Sequence, residues 1–140
     1  MPSRESGTER QRVAVSGPTA LGDAVAAARR YAADQELDDR DRARLCIIVE
    51  ELITNLCEHG PGQVECEIGI EMSRDAGAVR LAVEDNGAPF DPRTASIPDA
   101  VPARGGGAGL RLVTSWAQVV GYEYAGGRNR IELRLPLAEG

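Results

Sequence analysis

Glu51, Asn55 and His59 recur at intervals of four, a spacing that on an α-helix lays a carboxylate, an amide and an imidazole along one stripe. Glu51 and Asn55 sit in the otherwise apolar segment Glu51-Leu52-Ile53-Thr54-Asn55-Leu56-Cys57, with His59 just beyond it, where polar groups are costly unless they have a partner or a task. A helical Glu one turn before an Asn suits metal-assisted phosphoryl transfer. The Asn offers a neutral oxygen to Mg²⁺, an ion held by few protein ligands together with phosphate oxygens and water. The Glu can take a proton from a water or hydroxyl nucleophile. The same spacing also fits a solvated helix edge, and a single His on a helix is more often a hydrogen-bonded structural residue.

Two further blocks follow in order. Asp85-Asn86-Gly87-Ala88-Pro89-Phe90 comes directly after an alternating apolar run, so a carboxylate is delivered at a strand end beside a residue without a Cβ. Such a pair can bind the amino edge of a purine and let the ring lie against the backbone, although Asp-Asn-Gly is also common turn chemistry. Gly105-Gly106-Gly107-Ala108-Gly109-Leu110 could present backbone amides to an anion as the chain enters a helix near Leu110. It does not fit the G-x-G-x-x-G dinucleotide fingerprint, and the glycines alone would equally make a flexible linker.

Composition narrows the chemistry. The chain has 140 residues, enough for one domain with its own core. Its net charge of −6 argues against nucleic acid as a partner, without excluding a local cradle for a small anion. All sixteen basic residues are Arg. A Walker-A loop, the strand lysine of ordinary protein kinases and a lysine Schiff base are therefore excluded. Phosphate chemistry here must rest on amides, Arg and a metal ion. Cys46, Cys57 and Cys66 show no C-x-x-C spacing, and Cys46 and Cys57 would be roughly 16 Å apart on one helix, beyond disulfide reach. With one His, a zinc site is not expected. No signal-peptide core or long apolar run is present, so the expectation is a cytoplasmic protein with no membrane contact.

The elements that must position these residues follow from periodicity. Residues 1–9 read as a flexible N-terminus, and residues 10–138 as a single domain. A first strand is expected over Gln11–Val15, an Ala-rich amphipathic helix over Thr19–Glu36, and a second helix over Arg40–Glu58. Asp38 and Asp39 would cap the second helix, whose core stripe is Leu45, Ile48, Leu52 and Leu56. Alternation predicts strands over Val64–Met72 and Val79–Val83, then Val119–Tyr124 and Asn129–Leu135 around Gly126-Gly127. Between the hairpins, Asp85–Gly109 reads as a long loop of the kind more often functional than structural, followed by a short helix over Leu110–Ala117. Hairpins with helices on one face give an α/β (α+β) two-layer sandwich with a mixed, mostly antiparallel sheet.

Taken together and in order, the three blocks resemble the motifs of the GHKL ATPases. Glu51-x-x-x-Asn55 is similar to the N box, Asp85-x-Gly87 to the first glycine box and Gly107-x-Gly109-Leu110 to the second. Within that superfamily the wording around Asn55 and Asp85 most resembles the RsbW-like anti-sigma factor serine kinases, over residues 11–137. The resemblance implies a Bergerat-type fold that binds Mg-ATP and phosphorylates a serine on a STAS-type partner. A sigma factor as second partner and a homodimer are further implications. By position, Glu51 would be the general base and Asn55 the Mg²⁺ ligand. Asp85 would meet the adenine amino group, with Gly87 letting the ring approach. Gly105, Gly106, Gly107, Ala108, Gly109 and Leu110 would line the triphosphate, with Arg104 as a phosphate contact. The loop Asp91–Arg104 has no family wording, and the first helix carries no sigma-binding signature. Rival readings are a regulatory module that binds ATP with little or no transfer, and a detached histidine-kinase catalytic domain.

Overall fold

In a computed structural model the described residues are 10–59, 67–87, 89 and 113–138, without the side chains of 57–59. Strand β1 (Arg10–Ser16) leads through a 3₁₀ turn (Gly17–Thr19) into helix α1 (Ala20–Asp34), followed by α2 (Asp39–His59). Strands β2 (Glu67–Asp75) and β3 (Ala78–Asp85) form one hairpin, and β4 (Gln118–Ala125) and β5 (Arg128–Pro136) another. The sheet has five strands in the order β1-β2-β3-β5-β4. Every described pairing is antiparallel, so the expected mixed sheet is antiparallel throughout these residues.

The two helices cover one face because their apolar spacing permits it. In α1, Ala20, Ala24, Ala27, Ala28, Tyr31 and Ala32 are buried, a stripe of mostly small side chains that lets α2 approach closely. The helix ends in a Schellman turn. The Leu37 amide donates to the Ala32 carbonyl and that of Glu36 to Ala33, each at 3.0 Å, with Glu36 itself left-handed at φ 56°. Helix α2 starts on a side-chain cap: the Asp41 amide donates to Asp38 Oδ1 at 2.8 Å. Its buried face is wider than the expected stripe, since Val49 and Ile53 join Leu45, Ile48 and Leu52, while Leu56 is only partly buried.

Alternation along each strand then decides which side chains meet the helices. Ile68, Ile70 and Met72 of β2, Val79, Leu81 and Val83 of β3, and Ile131, Leu133 and Leu135 of β5 all point into the core. Both hairpins turn on glycines in the left-handed region, Gly77 at φ 77° and the pair Gly126 and Gly127 at 63° and 79°. Two consecutive positive φ values make the second a primed turn, the kind whose twist suits an antiparallel ribbon. Beyond β5, the Ala138 amide donates to Asp41 Oδ2 at 2.9 Å, which ties the chain to the first turn of α2. A helical turn over 113–116 is held to α2 by Arg44, whose guanidinium lies 4.9 Å from the Trp116 ring centre.

Candidate functional site

Asp85 is the last residue of β3, and its side chain turns toward the helix side of the sheet, where it is buried. Its Oδ1 accepts two hydrogen bonds. One comes from the Gly87 amide at 2.8 Å, closing a tight turn around Asn86, and the other from Asn129 Nδ2 at 3.1 Å. Oδ2 makes none among the described residues, which leaves it ready to accept from an external N–H donor. Asn86 faces the other way and its Oδ1 accepts from the Glu67 amide at 3.2 Å, fastening the start of β2 to the end of β3.

Asn129 stands directly across from Asp85 in the β3–β5 register and is itself buried. Its amide also approaches the Gly87 carbonyl at 3.4 Å, and its Oδ1 accepts from the Tyr122 hydroxyl. Tyr122 reaches it because of an irregularity in β4. Val119 pairs with Leu133 but Gly121 pairs with Glu132, so Val120 is an inserted residue. Without that insertion the side-chain alternation would turn Tyr122 to the opposite face. The result is a chain of hydrogen bonds running from half-buried Tyr122 through buried Asn129 and Asp85 to Gly87, which fixes one carboxylate oxygen and presents the other. Sequence reasoning misses both Asn129 and Tyr122. The one signal for Asn129 is its parity in the alternating run 129–135, which puts an amide on the same side as Ile131, Leu133 and Leu135.

Glu51 and Asn55 lie one turn apart on the C-terminal half of α2, both half-buried at the edge of the face formed by Leu52 and Ile53. The Glu51 carboxyl is held above the ordinary carboxylate value, first because it is partly withdrawn from water and second because Glu50 adds a neighbouring negative charge. A proton acceptor raised in this direction is better matched to work near neutral pH. No hydrogen bond or ion pair among the described residues joins this helix pair to the Asp85 turn. The structure thus describes two candidate regions: the Asp85 turn, held by hydrogen bonds, and the turn of α2 that carries Glu51 and Asn55. The side chain of His59, and Arg104, Gly105, Gly106, Gly107, Ala108, Gly109 and Leu110, lie outside the described residues, as does the loop Asp91–Arg104.

The described residues hold no cluster of three or more potential metal ligands. Cys46 is a half-buried thiol whose pKa is pushed up by burial, in keeping with a structural role. Among the described residues no helix is long and apolar enough to cross a membrane.

The family model of the histidine kinase-like ATPase domain matches residues 15–135, and the chain belongs to that family. Solved structures agree on the fold. The catalytic domain of the histidine kinase ThkA aligns with a TM-score of 0.53 at 14% identity, over 93% of this chain and 98% of that one. The SiaB–SiaC complex from Pseudomonas aeruginosa aligns with a TM-score of 0.53 at 15% identity, over 91% of this chain and 89% of that one. A blue-light activated histidine kinase of Erythrobacter litoralis gives 0.54 at 20% identity over 73% of this chain, which spans only 32% of that protein. No curated protein matches the chain.

Proposed function

We propose that this chain is a Mg-ATP-dependent serine/threonine protein kinase of the anti-sigma factor type, acting on a serine of a STAS-type antagonist protein in the cytoplasm. The observation that carries the reading is the pairing of two subsites on one GHKL scaffold. One holds a buried carboxylate with an uncommitted oxygen at the end of β3; the other holds a raised-pKa Glu one turn before an Asn. Residues 10–138 act as the single catalytic domain.

The roles follow from the chemistry of each group. Asp85 Oδ2 accepts from the exocyclic amine of adenine, with Gly87 leaving room for the ring. Asn55 offers its amide oxygen to Mg²⁺, which supplies neutralisation of the phosphate charge. Arg104 and the amides of Gly105–Leu110 line the triphosphate. Glu51 takes the proton of the attacking seryl hydroxyl while its oxygen bonds to the γ-phosphorus. The bond from that phosphorus to the β–γ bridging oxygen breaks, and ADP departs. The alignment with a two-protein complex, SiaB–SiaC, supports a protein as the acceptor. A sigma factor as second partner and a homodimer belong to the same reading.

Incubation of the purified protein with labelled ATP, Mg²⁺ and the STAS-type proteins of its own genome tests it. Transfer of label to a serine of one of them is the expected result. Binding of such a partner only when ATP is present, with no transfer, would replace the kinase by a regulatory binding module.

A further inference from the structure

The hydrogen bonds behind Asp85 run in one direction, and that direction decides what the Asp85 side chain can read. Asp85 Oδ1 already accepts from the Gly87 amide, and the Gly87 carbonyl can only accept. Both face the side chain of Asn129, at 3.1 and 3.4 Å, so its NH₂ group has to be turned toward them. The Asn129 oxygen then points the other way, where the Tyr122 hydroxyl donates to it. Asn129 is only 3% exposed, and an amide oxygen that lost its donor there would bear the full cost of desolvation.

The fold departs from regular pairing to bring this hydroxyl to the site. Tyr122 pairs with Ile131 and reaches Asn129 diagonally, two residues along β5 on the same face. Its ring packs against the core, a task that a phenylalanine would perform equally well. The hydroxyl is the part that packing does not need. Inserted residues such as Val120 recur beside functional sites, where they re-aim a neighbouring side chain.

We propose that Tyr122 is a positioning residue for base selection. Through Asn129 it holds Asp85 so that Oδ2 is the atom that reads the purine, favouring the amino group of adenine over the carbonyl of hypoxanthine. The assignment rests on the Mg-ATP reading of the same site and adds to it the device that sets its specificity. Both groups that grip Oδ1 are donors. Whatever stands at this position therefore turns an acceptor toward them and its other atom toward the ligand. With Asp that other atom accepts from an amine. An Asn there would turn its Nδ2 outward, and the same frame would read a carbonyl oxygen instead.

Calorimetric titration of the full chain with three Mg-bound nucleotides tests the proposal. They are ATP, inosine triphosphate, and purine riboside triphosphate, which has only hydrogen where adenine has its amine. Wild type binds ATP about tenfold or more tightly than either of the others. Tyr122→Phe keeps the ring and its packing, weakens ATP about three- to tenfold, and leaves purine riboside triphosphate unchanged, because that ligand offers no amine for the tyrosine to act through. Asp85→Asn reverses the order, so that inosine triphosphate binds more tightly than ATP. Equal weakening of both ligands in Tyr122→Phe would make the tyrosine merely structural and overturn the proposal, as would unchanged ATP binding. A folded Asp85→Asn that still prefers ATP overturns it as well, since the frame would not then set the polarity of the reading atom. Wild type that binds ATP and purine riboside triphosphate equally removes the adenine contact from Asp85, and the nucleotide reading of this turn falls together with the proposal.

Discussion

The strand-end subsite and the helix-edge subsite are built on opposite plans. Around Asp85 every described partner is in place before any ligand arrives: the carboxylate is buried, one of its oxygens accepts two hydrogen bonds, and Asn129 is locked in turn by Tyr122. Around Glu51 and Asn55 the side chains are half-exposed and the carboxyl sits in an environment that disfavours its charge. A group that recognises gains from being held rigid, because ordering costs are met during folding and not during binding. A group that moves a proton gains from a poised pKa, which full satisfaction by hydrogen bonds would depress. The difference predicts that substitutions in the two regions fail in different ways.

The largest effect is expected at the helix edge. Glu51→Gln keeps size and polarity but cannot take a proton, so phosphate transfer to a partner serine should fall by roughly 10²–10⁴-fold. Calorimetric titration of ATP should give an affinity close to wild type. Equal loss of binding and transfer would erase the distinction between the subsites. At the strand end the pattern should invert. Asp85→Ala removes the acceptor for the adenine amine, a loss worth about 1.5–3 kcal/mol, so ATP affinity should drop about 10- to 100-fold. Unchanged affinity in a folded Asp85→Ala variant would move the adenine site elsewhere.

Asn129 carries the comparison into stability. Asn129→Ala leaves the buried Asp85 Oδ1 with one partner fewer and the half-buried Tyr122 hydroxyl without its Asn129 acceptor. Denaturant unfolding should show a loss of about 1–3 kcal/mol, with a several-fold weaker ATP titration. Glu51→Gln, at a half-exposed position, should stay within about 0.5 kcal/mol of wild type. A stable Asn129→Ala that binds ATP normally would mean that the Gly87 amide alone suffices to hold Asp85.

What could be read in advance follows from how local each signal is. The two long helices, the hairpins and the turn at Gly126-Gly127 are announced by periodicity and glycine placement within a few residues, and these are present in the fold; of the short helix expected over Leu110–Ala117 the described residues contain a turn over 113–116. The helix capping by Asp38 is equally local. The width of the α2 face is not, because the burial of Val49 and Ile53 depends on tertiary packing into the common core. The Asp85–Asn129 bond joins residues 44 apart in sequence and exists only through the β3–β5 register. The position of Tyr122 depends on one inserted residue, Val120, that alternation alone cannot locate. Arg80 and Arg134 are equally remote in the chain and become neighbours only through the β3–β5 register.

The smallest effect is expected at Glu50, and it tests why the helix edge is poised as it is. Protonated Glu51 cannot accept a proton, so transfer activity should rise with pH through a limb lying above the ordinary carboxylate range. Stability runs the other way. The folded state binds this proton more tightly than the unfolded chain, so the contribution is fully present below the ordinary carboxylate value and is lost as pH rises through the raised one. Desolvation is the larger cause of the shift and Glu50 the smaller. Glu50→Gln removes only the second, so the acidic limb of kcat should move to lower pH without reaching that of a solvated Glu. The pH profile of phosphate transfer in wild type and Glu50→Gln measures this directly. A limb that stays in place would leave burial as the whole cause, and one that moves upward would mean that Glu51 is not the group whose ionisation it reports.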